Sequence, residues 1–210
     1  MKRKVSILKR GIAFSLFLVY SISGLYSETL ENNLATKLKD SGMIIQEKYP
    51  LGFLEANIDE SIPFKYDYAL KSEIHDFEIR YVIHPSIYKQ KQYEELKKTS
   101  GVVLAPQREN DYLLDFANIL INLSDNPENL KKGRDFPPDA VKKEFGADWG
   151  NASFLMLNPS YDKKFKMCFI ITLYRKNRAS AYILYLANDQ TVLLDYLKDT
   201  KLYYNLRFAN

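Results

Sequence analysis

The sequence predicts an α+β domain built on a mainly antiparallel sheet of about six or seven strands covered by helices. Three observations carry this expectation. Residues 62–70 (IPFKYDYAL) and 75–85 (HDFEIRYVIHP) each alternate apolar with polar side chains and stand close together, the pattern of a half-buried hairpin. In the last third, 152–159 (ASFLMLNP), 166–175 (KMCFIITLYR) and 179–188 (ASAYILYLAN) follow one another across short turns, and the second and third are apolar on both faces. Such strands are central and need cover above and below. Helix-spaced segments between the strands supply that cover.

The elements follow in order. Met1–Arg10 holds five positive charges, Gly11–Ile22 is apolar, and small residues up to Ser27 precede Glu28. This is the layout of a secretory signal peptide, 1–27, with cleavage near Ser27. The apolar run falls short of the roughly twenty residues that a membrane span needs, so no integral membrane segment is expected after cleavage. Residues 28–210 then read as one globular domain. Leu30, Leu34 and Leu38 stand four apart in a helix that Gly42 terminates. In the hairpin, Phe64, Tyr66 and Tyr68 share one side of the first strand, and Phe77, Ile79, Tyr81 and Ile83 one side of the second. Pro85 closes that strand and Ser86 is placed to cap a charged, exposed helix, 86–101.

A helix over 111–124 presents Leu113, Phe116, Ala117, Leu120 and Ile121 to the sheet. Asn126–Pro138 reads as a polar, mobile loop and 139–145 as a short helix. After the three late strands, a helix at about 189–199 turns Leu193, Tyr196 and Leu197 inward. The chain finishes with LYYNLRF, where Leu202, Tyr204, Leu206 and Phe208 alternate with polar positions as in a strand.

Charge and composition exclude several functions. The whole chain has 30 Lys and Arg against 26 Asp and Glu, but five of the basic residues lie in the signal segment. The mature domain is therefore close to neutral, and the pI of 8.9 belongs to the precursor. Without a positive field, nucleic-acid binding is not expected. The single cysteine, Cys168, sits in an apolar run and is expected to be buried and inert, with no disulfide.

The chemistry-bearing residues are few. Of two histidines, His84 shares a strand face with Glu78 and Arg80, a start for a zinc or manganese site if other carboxylates join it. His75 lies nine residues away, roughly 30 Å at about 3.3 Å per residue, and cannot share that metal. There is no nucleophile elbow and no glycine-rich phosphate loop. The most distinctive segment is 145–154 (FGADWGNASF), with the only tryptophan, Trp149, between Gly146 and Gly150 and beside Asp148. Trp149, Asp148, Gly146 and Gly150 are candidate contacts for a ligand or partner. The other reading is that Gly146 ends a helix and Trp149 fills the core beneath it. Sixteen tyrosines, with Tyr88, Tyr93, Tyr112, Tyr161 and Tyr203 expected near the surface, favour contact with proteins or glycans.

In element order alone, a helix-covered sheet with strand pairs early and late resembles the Mog1/PsbP-type sandwich, several members of which are exported accessory factors. The sequence thus leads to an exported, non-catalytic binding or accessory domain of the periplasm or cell surface. A metal-assisted hydrolase centred on His84 and Glu78, or a small-ligand carrier with an aromatic pocket near Trp149, are the alternatives. No cofactor is indicated.

Overall fold

A computed structural model describes residues 33–99, 110–124 and 130–209; the expected signal segment lies outside them. Two compact units are distinguished, Met1–Thr36 and Lys37–Asn210, and the fold described below is that of the second. Helix α1 (33–41) ends at Gly42, which takes the left-handed conformation, φ +67°, as expected. There follow β1 (Met43–Ile45), β2 (Phe53–Glu55), β3 (Tyr68–Ser72), β4 (Phe77–Pro85), α2 (Ser86–Lys97), α3 (Asp111–Leu123), β5 (Leu130–Asp135) and α4 (Pro138–Phe145). Then come β6 (Trp149–Met156), β7 (Met167–Arg175), β8 (Ala179–Ala187), α5 (Gln190–Thr200), a 3₁₀ turn (Leu202–Tyr204) and β9 (Leu206–Phe208).

The architecture is α+β. Seven antiparallel strands run in the order β2-β3-β4-β8-β7-β6-β5, and β1 pairs with β9 in a separate ribbon. The apolar strands β7 and β8 lie inside the sheet, as their two-sided hydrophobicity requires. One face carries Val82, Tyr182, Leu184, Ile170 and Leu155 in a core that Ile119 and Leu123 of α3 cover. The other carries Phe77, against which Tyr196 of α5 packs at 5.1 Å between ring centroids, and Tyr81, whose hydroxyl meets Asn205. Asp189 caps α5 by accepting from the backbone N–H groups of Thr191 and Val192 at 2.9 and 3.1 Å.

Several expectations need correction. Phe64 and Tyr66 precede β3 rather than belonging to it. Ser86 does not cap α2 with its side chain; its backbone N–H donates to the Arg178 carbonyl at 2.8 Å instead. The buried stripe of α3 is rotated: Ile119 and Leu123 are buried, whereas Leu113 and Ile121 are 38% and 55% exposed. This helix is apolar nearly all round, so periodicity alone admits two faces and the sheet selects one. Part of the expected polar loop is the edge strand β5, which forms through backbone pairing to β6 with a bulge between Lys131 and Arg134. Gly133 is needed there, because a Cβ would stand 2.1 Å from the Ser153 hydroxyl. Leu202–Tyr204 is a 3₁₀ turn rather than strand, set by Lys201 in the left-handed region at φ 56°. Finally, Tyr161 is buried, because its hydroxyl accepts from the buried Arg80 guanidinium at 3.3 Å.

Candidate functional site

Strand register places four residues in one row across the interior of the sheet: His84 opposite Ser180, Ser180 opposite Tyr174, and Tyr174 opposite Trp149. All four project to the face that α3 covers. His84 and Trp149, which the sequence offers as separate candidates, therefore stand at one end of one sheet face. His84, Ser180 and Tyr174 form the floor of a groove of about 700 Å³ walled by α2, α3 and the β7–β8 turn. Tyr112, from the first turn of α3, stacks on Tyr174 with ring centroids 4.0 Å apart and planes within 6°. Tyr112 also meets Trp149 at 5.2 Å, and Phe116 meets it at 5.5 Å, so the tryptophan stands behind the aromatic wall of the groove.

The charges around the groove are largely paired. Lys37 binds the Asp67 carboxylate, whose other oxygen accepts from the Ile83 backbone N–H at 2.7 Å. Lys89 and Asp115 pair at 3.0 Å across the α2–α3 wall. The His84 ring meets the Tyr182 ring edge-on at 5.7 Å. His84 is solvent-exposed at the groove, and desolvation by the surrounding protein lowers its pKa from the ordinary value while the nearby Asp67 pulls upward, which favours the neutral imidazole. In the next row of the same face stand Tyr182 and its cross-strand neighbour Thr172, both buried.

An imidazole that resists protonation in the folded state binds fewer protons there than when unfolded, so its contribution is complete above the ordinary pKa of 6.5. It is lost as pH falls from 6.5 through the depressed folded value. His84→Gln is expected to flatten the decline of Tm below pH 6.5 relative to the wild type, measured by thermal melts in a pH series; an unchanged slope would show that His84 does not titrate against the fold.

The expected metal pair is not assembled. Glu78 lies six residues along the same strand, about 20 Å away at roughly 3.3 Å per residue, and accepts from the Arg80 guanidinium at 2.6 Å. Among the described residues no group of three or more His, Cys, Asp or Glu side chains is arranged to hold a metal ion. Cys168 is fully buried, and burial pushes its thiol far above the ordinary value.

The segment around Trp149 divides by role. Gly146 ends α4 in the left-handed conformation, φ 64°. Asp148 pairs with Lys142 at 2.8 Å and accepts from the Lys176 backbone N–H at 2.8 Å, tying the β7–β8 turn to the start of β6. The bond from Lys142 holds its carboxyl below the usual carboxylate range. Gly150 faces away from the groove, where a Cβ would stand 2.9 Å from both Phe136 and Val141. Of these residues only Trp149 reaches toward the groove, through its contact with Tyr112 of the wall. Gly150→Ala is expected to cost about 1–3 kcal/mol through overpacking, read from denaturant unfolding, with the groove intact.

Sequence reasoning missed Tyr174 and Ser180, because only register shows that they flank His84 and Trp149. Strand geometry tells which residues of 179–188 and 166–175 share a face, but not the pairing that aligns them. Comparison with protein-family models, with curated proteins and with solved structures finds no match for this chain, so the resemblance in element order carries no further argument.

Proposed function

We propose that the protein is an exported, non-catalytic binding or accessory domain of the periplasm or cell surface, and that the α2–α3 groove is where it binds. The observation that carries this is the stacked Tyr112–Tyr174 pair set beside a neutral His84 on the rigid interior of a sheet. Aromatic surface next to neutral hydrogen-bonding groups is recognition chemistry. The hydrolase reading needs Glu78 beside His84, and strand β4 separates them. The carrier reading converges on the same groove, since Tyr112 joins its wall to Trp149.

Two measurements test the proposal. In its native host the protein is expected outside the cytoplasm with an intact mass lacking residues 1–27; full-length protein in the cytoplasm would contradict export. Hydrogen exchange of protein purified from that compartment, before and after unfolding and refolding to strip bound material, is expected to differ at 84–92, 111–119 and 174–180. Differences confined to other parts of the sheet would place binding elsewhere.

A further inference from the structure

The groove proposed above as the binding site also points to a ligand class, and this inference rests on that reading. We infer that the groove takes a short neutral saccharide. Three cations line it, Lys37, Lys89 and Lys176, with two carboxylates, Asp111 and Asp115, and Asp67 outside the lining neutralises Lys37. The balance is zero, and two of the three cations are held in ion pairs. An anionic ligand would have to break those pairs and leave Asp67 or Asp115 uncompensated.

The remaining lining is rich in uncharged donors and acceptors: Gln90, Gln92 and Asn118 from the two helices, Asn177 from the turn, Ser180 from the floor, and the neutral imidazole of His84. Side-chain amides and hydroxyls both donate and accept, matching the sugar hydroxyl, which does the same. The Tyr112–Tyr174 pair supplies the flat π surface on which the C–H face of a pyranose ring rests. A peptide added as a strand is disfavoured, because β4, β8 and β7 at the floor are interior strands with both edges paired. The volume of about 700 Å³ lies within the roughly 300–1,000 Å³ range of small-molecule sites, so the groove fits a few sugar units.

The test titrates the mature protein with neutral tetrasaccharides of glucose, mannose, galactose and N-acetylglucosamine, each to about 10 mM. The emission of Trp149, the sole tryptophan, reports on the wall through its contact with Tyr112. Trigalacturonate and a tetraalanine peptide serve as anionic and peptide comparators. The expected result is a saturable emission change with at least one neutral tetrasaccharide. Affinity should fall at least tenfold in Tyr174→Leu and several-fold in Gln92→Ala, whose exposed side chain on α2 has no part in the core. Equal affinity in wild type and both variants would place the sugar outside the groove and overturn the inference. Binding of only trigalacturonate or the peptide, lost in the same variants, would overturn the saccharide assignment and leave the groove standing. No response to any neutral tetrasaccharide would overturn the assignment as well, and the hydrogen-exchange map then decides separately whether the groove binds at all.

Discussion

Arg80→Met is expected to destabilise the protein by about 3–5 kcal/mol, enough to bring a domain of ordinary stability near unfolding. Arg80 projects from β4 into the α3-side core at the end away from the groove, with its side chain only 6% exposed. Its guanidinium donates to Glu78 at 2.6 Å, to Asp162 at 2.8 Å and to the Tyr161 hydroxyl at 3.3 Å. The Tyr66 ring covers it at 4.8 Å and Tyr161 lies 5.7 Å away. Methionine fills the volume but leaves two nearly buried carboxylates without a cation, which is where the cost arises. Two features distinguish this account from simple loss of packing. Adding Glu78→Gln and Asp162→Asn to Arg80→Met should recover part of the deficit, because the uncompensated charge is removed. Lysine should rescue only partly, since a point charge cannot reach three acceptors with the fork of a guanidinium. Denaturant midpoints of these variants give both readings; a deficit that neutralising the carboxylates leaves unchanged would contradict the charge argument.

Asn205→Leu is expected to cost about 2–4 kcal/mol, taking roughly 1–3 for each buried group left without a partner. Asn205 is buried just before β9 and locks the C-terminal segment to the chain after β1. Its Oδ1 accepts from the Glu47 N–H at 2.8 Å, and its Nδ2 donates to the Glu47 carbonyl at 2.9 Å and to the Tyr81 hydroxyl at 3.3 Å. Tyr81 is fully buried, and burial pushes its hydroxyl pKa up to about 12, a group ill suited to losing its partner. Adding Tyr81→Phe to Asn205→Leu should recover part of the loss, because one orphan disappears; purely additive costs in the double-mutant cycle would show that the two side chains act independently.

These two networks mark where the sequence was legible and where it was not. Period-two alternation in 75–85 and the doubly apolar 166–175 and 179–188 correctly gave the hairpin, the central strands and their cover, because burial imposes those patterns directly. Gly42 marked a helix end through capping chemistry that is local in sequence. Tyr161 was misplaced because its burial depends on Arg80, 81 positions earlier, which no local pattern records. Likewise β5, with the sequence LKKGRD, is held by backbone pairing to β6 and carries no alternating apolar signal. For the candidate site, His84 and Trp149 were visible as unusual residues. Their meeting in one row with Ser180 and Tyr174 follows from three strand registers, which are long-range facts.

Native mass spectrometry on wild type and Asn118→Trp decides whether the groove of His84, Tyr112 and Tyr174 is the binding site. Asn118 is an exposed residue of α3 that lines the groove, so tryptophan there obstructs the opening without entering the core. With protein purified from its own exporting cells, the wild type is expected to retain extra mass in the native spectrum that vanishes on denaturation, and Asn118→Trp to lose it. Leu54→Trp, on the distant edge strand β2, should retain it. Equal retained mass in wild type and Asn118→Trp, or none in the wild type, would contradict the claim.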